Sequence, residues 1–241
     1  MSTTNKIPPS VIPLESNPDI FTKFAHSLGL SPEFAFHDIF SLTEPDLLAF
    51  LPRPMNAIIL LFPINNFFDT AKDSDTLELP ESVAPPVIWF KQTVRNACGL
   101  YALLHSLSNN RNLLTKHSIL DKFLEANKRE NGLYNDNATD DFIVSINELY
   151  NENSTQGQTE APDASAEVDL HFITFIEHKG KIYELDGRRQ DGSHVLGTSS
   201  SSSGDLLDED LIKDRVSWYM NNADESMKLN FSLLGLAPAW D

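Results

Sequence analysis

Lys91-Gln92-Thr93-Val94-Arg95-Asn96-Ala97-Cys98-Gly99-Leu100-Tyr101-Ala102-Leu103-Leu104-His105 decides how this chain reads. Leu100, Leu103, Leu104 and Leu107 recur at helical spacing, so a helix follows the cysteine. Asn96 is its predicted N-cap, because an Asn side chain there accepts from the orphan N–H groups of the first turn. Cys98 then falls in that first turn, where the positive end of the helix macrodipole favours thiolate over thiol. At about 100° per residue, Cys98 lies nearly opposite the stripe centred on Leu104 and is not simply a member of that apolar face. Upstream, the apolar run Val87-Ile88-Trp89-Phe90 is predicted as a buried strand.

A second stretch supplies partners for a thiol. Residues 168–176 are predicted as a strand and 181–186 as its hairpin partner, two arms rich in apolar and β-favouring residues, with Lys179-Gly180 marking a turn between them. If the two turn residues are His178-Lys179, His171 lies directly opposite Asp186. If they are Lys179-Gly180, Asp186 opposes Ile173 and is diagonal to His171. Both registers put the two side chains on one face, within imidazole–carboxylate reach; a three-residue turn would separate them. A helix-start cysteine with a His–Asp pair is the set that nucleophilic catalysis requires, the base taking the thiol proton and the acid orienting the base. Gln92 would aim an amide N–H at a developing oxyanion, with a backbone N–H at the helix start as second donor. Taken singly, each residue has a plainer reading: a lone cysteine as core filler, a strand histidine as a satisfied polar group, an Asp before Gly as a turn residue. His105 is read as structural. A metal site from His171 and Asp186 lacks a third ligand at useful spacing, and no cofactor is expected.

The 241 residues are 41% hydrophobic and 22% charged, with no linker, which predicts one domain over 1–241. A single cysteine excludes an internal disulfide framework, a CxxC pair and a cysteine-rich zinc site, and points to a reducing compartment: the cytoplasm, with the nucleus second. The first residues lack the apolar core of a signal peptide, so none is expected. The longest apolar run, Ala57 to Ile64, is too short to span a membrane. A formal charge of −17 opposes nucleic-acid binding by a basic face and would steer in a cationic protein or peptide.

Along the chain, residues 1–13 are expected as a flexible start. Asn17-Pro18 opens a helix that Gly29 closes. A strand over 34–42, a short helix from Pro45 to Phe50 and a strand over 57–62 buried on both faces follow. Residues 69–86 read as a polar, proline-rich excursion. Helices are predicted over 114–127, with Ile119, Leu120, Phe123 and Leu124 inward, and over 138–150. Residues 151–167 form a long polar loop, and the serine run 198–204 a mobile one. A helix over 206–220 and a strand over 228–236 complete the chain.

Gln92-Thr-Val-Arg-Asn-Ala-Cys98-Gly followed by Ala102-Leu-Leu-His105, together with His171-Phe-Ile-Thr-Phe and Gly180-Lys-Ile-Tyr-Glu-Leu-Asp186-Gly-Arg188, resembles the two signatures of the ubiquitin carboxyl-terminal hydrolase family of cysteine proteases. The Pro13–Pro18 and Asp46–Pro54 segments are similar to its N-terminal region, so the resemblance runs in order along nearly the whole chain. Departures are Leu100 where many members have threonine, Val11-Ile12 where an aromatic is common, and the run after Arg188. The resemblance implies a papain-like α/β (α+β) fold: a central, mostly antiparallel sheet flanked by helices, with a knotted backbone. It places 151–167 as the crossover loop over the active site. By position it makes Cys98 the nucleophile, His171 the general base and acid, Asp186 the residue that orients His171, and Gln92 the oxyanion stabiliser. It further implies a monomeric deubiquitinating thiol hydrolase that cleaves small adducts or short peptides from the C-terminal glycine of ubiquitin or a close relative. The rival readings are a catalytically weak ubiquitin-binding module and an acyl transferase with the same triad.

Overall fold

The computed structural model describes residues 10–65, 67–68, 87–128, 134–153 and 169–240. Helix α1, Pro18–Leu28, forms as its local signals dictate. Asn17 accepts from the N–H groups of Asp19 and Ile20, Pro18 supplies a preset φ, and Gly29 closes the helix at φ 119°. Its buried face is Phe21, Phe24, Ala25 and Leu28.

Six strands form one sheet: β1 Phe34–Asp38, β2 Ala57–Pro63, β3 Leu170–His178, β4 Lys181–Leu185, β5 His194–Thr198 and β6 Ser232–Pro238. Their order is β1-β6-β2-β3-β4-β5, and every neighbouring pair is antiparallel. β2 is paired on both edges and buried on both faces, as its unbroken apolar run predicts. Ala57 and Ile59 join a core with α1, α3 (Cys98–Asn109), α4 (Ile119–Asn127) and α5 (Asp136–Asn153). Ile58, Leu60 and Phe62 join a second core with α6 (Asp210–Asn221). The sheet therefore has helices on both faces, the expected α+β layering. The short α2 spans Pro45–Leu48.

Several elements differ from expectation. Val87–Phe90 is not a strand. Its backbone groups are satisfied by side chains of α3 instead: Asn109 pairs with both the N–H and the C=O of Ile88 (2.9 and 2.8 Å), and Phe90 N–H donates to His105 Nε2 (3.0 Å). An apolar run signals burial, not what will hydrogen-bond its backbone. β1 stops at Asp38, and Phe40 is exposed. α4 begins only at Ile119, capped by Ser118, and Ile119 is exposed while Leu120, Phe123 and Leu124 are buried. The helix over 206–220 divides into a 3₁₀ turn at Leu206–Asp208, capped by Asp205, and α6. The last strand starts four residues later than expected, after a 3₁₀ turn at Glu225–Met227. The serine run is tied down around the buried Glu209, whose carboxylate accepts from the N–H groups of Ser200 and Ser201 and the hydroxyls of Ser199 and Ser200. Residues 151–153, expected to open the long polar loop, instead end α5, and at the expected flexible start Ser10 bridges Arg95 and Val11 is buried. The 69–86 excursion, residues 1–9 and the rest of the expected crossover loop, 154–167, lie outside the described residues.

Candidate active site

Three elements meet where the ladder between β3 and β4 runs out. The hairpin turn is Lys179-Gly180, with His178 opposite Lys181 and Thr174 opposite Leu185. Lys179 and Gly180 both have positive φ, 51° and 76°, the geometry of a two-residue hairpin turn. β4 ends at Leu185, so the His171 end of β3 is bordered by Phe62 of β2 on one side and by the Asp186 turn on the other. Asp186 sits one step beyond the ladder, diagonal to His171.

His171 and Asp186 are both buried, and His171 Nε2 lies 2.7 Å from Asp186 Oδ1. The same oxygen accepts from the N–H of Arg188 (2.8 Å), so the carboxylate is fixed by its own turn. The Asp186 carbonyl accepts from the indole N–H of Trp89 (2.9 Å), and the Gly187 carbonyl from the N–H of Gln92 (2.7 Å). Trp89 and Gln92 thereby join the pre-helix segment to the Asp186 turn. Gly187 is required there, since a Cβ would lie 2.8 Å from Gln92 Cβ.

Cys98 opens α3, partly exposed and in no disulfide. The cap differs from expectation: Ala97 is the N-cap, without a side-chain cap bond, and Asn96 instead holds a left-handed φ of 59°. Gly99 allows the helix start to press onto its neighbours, a Cβ there lying 2.9 Å from Leu14 Cβ and 3.3 Å from the Phe172 ring. The thiol faces His171, close enough for each to shift the other's ionisation. With Nε2 committed to Asp186, the ring nitrogen left for the thiol is Nδ1. Burial pushes the Cys98 thiol up, but the hydrogen bond and charge of His171, helped by backbone bonds from Phe172 and Gly99, outweigh it and hold the thiol below its ordinary value. Burial lowers His171 in the same way, and the charge and hydrogen bond of Asp186, then the thiol, outweigh that and raise it. Both shifts favour a thiolate–imidazolium pair.

Gln92 is placed beside Asp186 and Gly187, but its amide N–H is directed at the Val94 carbonyl (3.3 Å), and its Oε1 is buried without a partner. Of the four residues singled out in the sequence, His171 and Asp186 are in direct contact, Cys98 lies beside His171, and Gln92 is attached to the Asp186 turn through its backbone. His105 is a core residue as expected: buried, stacked on Phe90, and lowered to about 4 chiefly by burial.

Three supporting groups were not read from the sequence. Trp89 is one. A second is Glu184, fully buried two residues before Asp186, which accepts from Arg215 (2.6 and 3.2 Å) and from the Tyr219 hydroxyl (3.2 Å). Tyr219 packs on Phe62, whose ring meets His171 edge to face. Strand alternation puts Glu184 and Asp186 on one face, which could have flagged a buried acid in need of a cation. The third group links Thr93, Tyr101 and Asp140. Among the described residues one cluster has metal-ligand character, His117, Asp121 and Glu125, but Arg111 already bonds both carboxylates.

A family model described as ubiquitin carboxyl-terminal hydrolase, family 1, matches residues 11–221. The ubiquitin carboxyl-terminal hydrolase YUH1 of Saccharomyces cerevisiae is 49% identical over 235 residues, covering 96% of this chain and 98% of that protein. A probable ubiquitin carboxyl-terminal hydrolase of Dictyostelium discoideum is 32% identical over 233 residues, covering 93% and 87%. Among solved structures, the Trichinella spiralis UCH37 catalytic domain bound to ubiquitin vinyl methyl ester superposes with a TM-score of 0.69 at 22% identity, covering 95% and 96%. That last likeness speaks for the fold.

Proposed function

The chain belongs to family 1 of the ubiquitin carboxyl-terminal hydrolases, and from that premise we propose that it is a deubiquitinating cysteine hydrolase, removing small adducts or short peptides from the C-terminal glycine of ubiquitin or a close relative. One observation carries the reading at the level of chemistry. Beside the thiol of Cys98, at the start of α3, lies a buried histidine whose Nε2 is held at 2.7 Å by a buried aspartate.

In this reading the Cys98 thiolate attacks the terminal carbonyl of the ubiquitin tail. His171, protonated on Nδ1, gives its proton to the departing amine or thiol, leaving a thioester on Cys98. His171 then takes a proton from water, which attacks the thioester and frees the carboxylate. Asp186 holds the ring orientation and stabilises the imidazolium. The oxyanion formed at each step is stabilised by N–H groups at the start of α3 and by the amide of Gln92, which turns from Val94 to donate.

Ubiquitin is the substrate partner this reading takes. The −17 charge favours a cationic tail and disfavours nucleic acid. We further propose that the protein acts as a monomer, without nucleic acid or membrane, in the cytoplasm or nucleus. A lone nucleophilic cysteine is kept reduced there. No described helix is long and apolar enough to cross a membrane.

The test is turnover of a fluorogenic ubiquitin C-terminal conjugate by the unaltered protein and by Cys98→Ala. Hydrolysis by the first and none by the second, with ubiquitin binding retained, is the expected result. Binding without turnover by the unaltered protein would replace the enzyme with a binding module. Transfer to an added amine in preference to water would make it an acyl transferase.

A further inference from the structure

We propose that Thr93, Tyr101 and Asp140 form a positioning bridge for the oxyanion side of the site, fixing the segment that carries Gln92 against the first turns of α3. The proposal rests on the role given to Gln92 above.

The amide of Gln92 is lightly held. It makes one 3.3 Å bond to Val94, and its oxygen has no partner. Where its N–H groups can reach is therefore set by the backbone at 92–93. On one side, Gln92 N–H is bonded to Gly187. On the other, Thr93 is bonded twice: its N–H reaches the Tyr101 hydroxyl (3.4 Å), and its own hydroxyl donates to Asp140 Oδ1. The Tyr101 hydroxyl donates to that same oxygen (3.1 Å), closing the bridge. Tyr101 lies in α3 three residues after Cys98, on neighbouring surface of the helix, and Asp140 comes from α5. Thus three elements converge on one carboxylate oxygen next to Gln92.

The directions of these bonds are fixed. Burial, then the charge of Asp140, push the Tyr101 phenol up to about 12, so it keeps its proton and remains a donor. A simple brace for the core would not need this site. Tyr101 is fully buried in an apolar cluster, where phenylalanine would fill the same volume. The polar bridge adds a fixed position for the Thr93 backbone, one residue from the proposed oxyanion donor.

The experiment compares Thr93→Val, Tyr101→Phe, the double variant and the conservative Thr93→Ser. Two rates are read: steady-state hydrolysis of the fluorogenic ubiquitin conjugate, and alkylation of Cys98 by iodoacetamide, which needs the thiolate but no oxyanion donor. We expect kcat to fall about tenfold in each deletion, the size of effect given by a small misplacement of a catalytic group, with KM little changed. The double variant should be no worse than the poorer single, since both act through Asp140. Alkylation should be unchanged, and Thr93→Ser should retain most of the activity. An unchanged kcat, or alkylation that falls in step with kcat, would overturn the proposal, the latter by showing that the bridge supports the nucleophile or the fold. So would a Thr93→Ser variant as impaired as Thr93→Val. If the unaltered protein hydrolyses nothing, the function itself fails and this inference with it.

Discussion

His171 Nε2 and Asp186 Oδ1 lie 2.7 Å apart although the two residues are not partners in the strand ladder; Asp186 is one step past the end of β4 and reaches diagonally to its neighbour. The reach depends on the Asp186 turn, which is fixed by bonds from Arg188, Trp89 and Arg189 and by the link between Gly187 and Gln92. The acid of the site is therefore set by the segment that precedes the nucleophile as much as by its own hairpin.

Asp186→Asn should leave the fold intact and lower the rate sharply. An amide at this position can donate to the ring and so favour the wrong tautomer; the comparable change in a serine protease costs about 10⁴ in kcat. Steady-state kinetics with thermal unfolding as control would check it. A loss below about tenfold would make Asp186 structural, since mis-set tautomers cost far more.

The thiolate–imidazolium pair has a pH signature. Because His171 holds Cys98 below the ordinary thiol value, alkylation of Cys98 should remain fast on the acid side of that value. In His171→Ala the lowering partner is gone and burial remains, so the alkylation midpoint should move upward. Catalysis needs both charges, so kcat/KM should rise as pH passes the lowered thiol pKa and fall as pH passes the raised imidazole pKa. Iodoacetamide kinetics and a pH–rate profile measure the two. An alkylation midpoint that does not move in His171→Ala would remove His171 as the cause.

Gly187→Ala places a methyl 2.8 Å from Gln92 Cβ and 3.2 Å from its backbone nitrogen. The Gln92 segment must move away from the Asp186 turn. Overpacking of this kind costs about 1–3 kcal/mol, and the shift should slow hydrolysis about tenfold or more. Thermal denaturation and kcat should both respond; a variant equal to the parent in both would show that the contact is slack.

Arg215→Met removes the cation from the fully buried Glu184 carboxylate. Breaking one side of a buried pair costs about 3–5 kcal/mol, because the remaining charge is left uncompensated. Adding Glu184→Gln should recover a large part of that loss. The measurement is chemical denaturation of the two single variants and the double variant. Simple additivity would mean that the two side chains do not act as a pair.

The sequence by itself determined the elements whose signals are local and singled out the groups proposed to react. Asn17-Pro18 and Gly29 bound α1 because caps act within one turn of chain. The apolar run of β2 reads as a strand buried on both faces because successive side chains alternate between faces and both are apolar, and each face joins its own core. Cys98, His171 and Asp186 were legible from residue type, spacing and hairpin alternation, though two turn registers stayed open until the ladder placed the turn at Lys179-Gly180. Only the tertiary structure decided what satisfies each backbone and each buried charge. Val87–Phe90 reads as a strand but finds Asn109 and His105 instead of a neighbouring strand. Asn96 reads as a cap but turns left-handed to bring the chain into α3. Nothing local links Trp89 to Asp186, Thr93 to Asp140, or Glu184 to Arg215. Periodicity and propensity describe a residue against its near neighbours in the chain, whereas a buried polar group must be paired with whatever the fold brings within about 3 Å, which is a property of the whole packing.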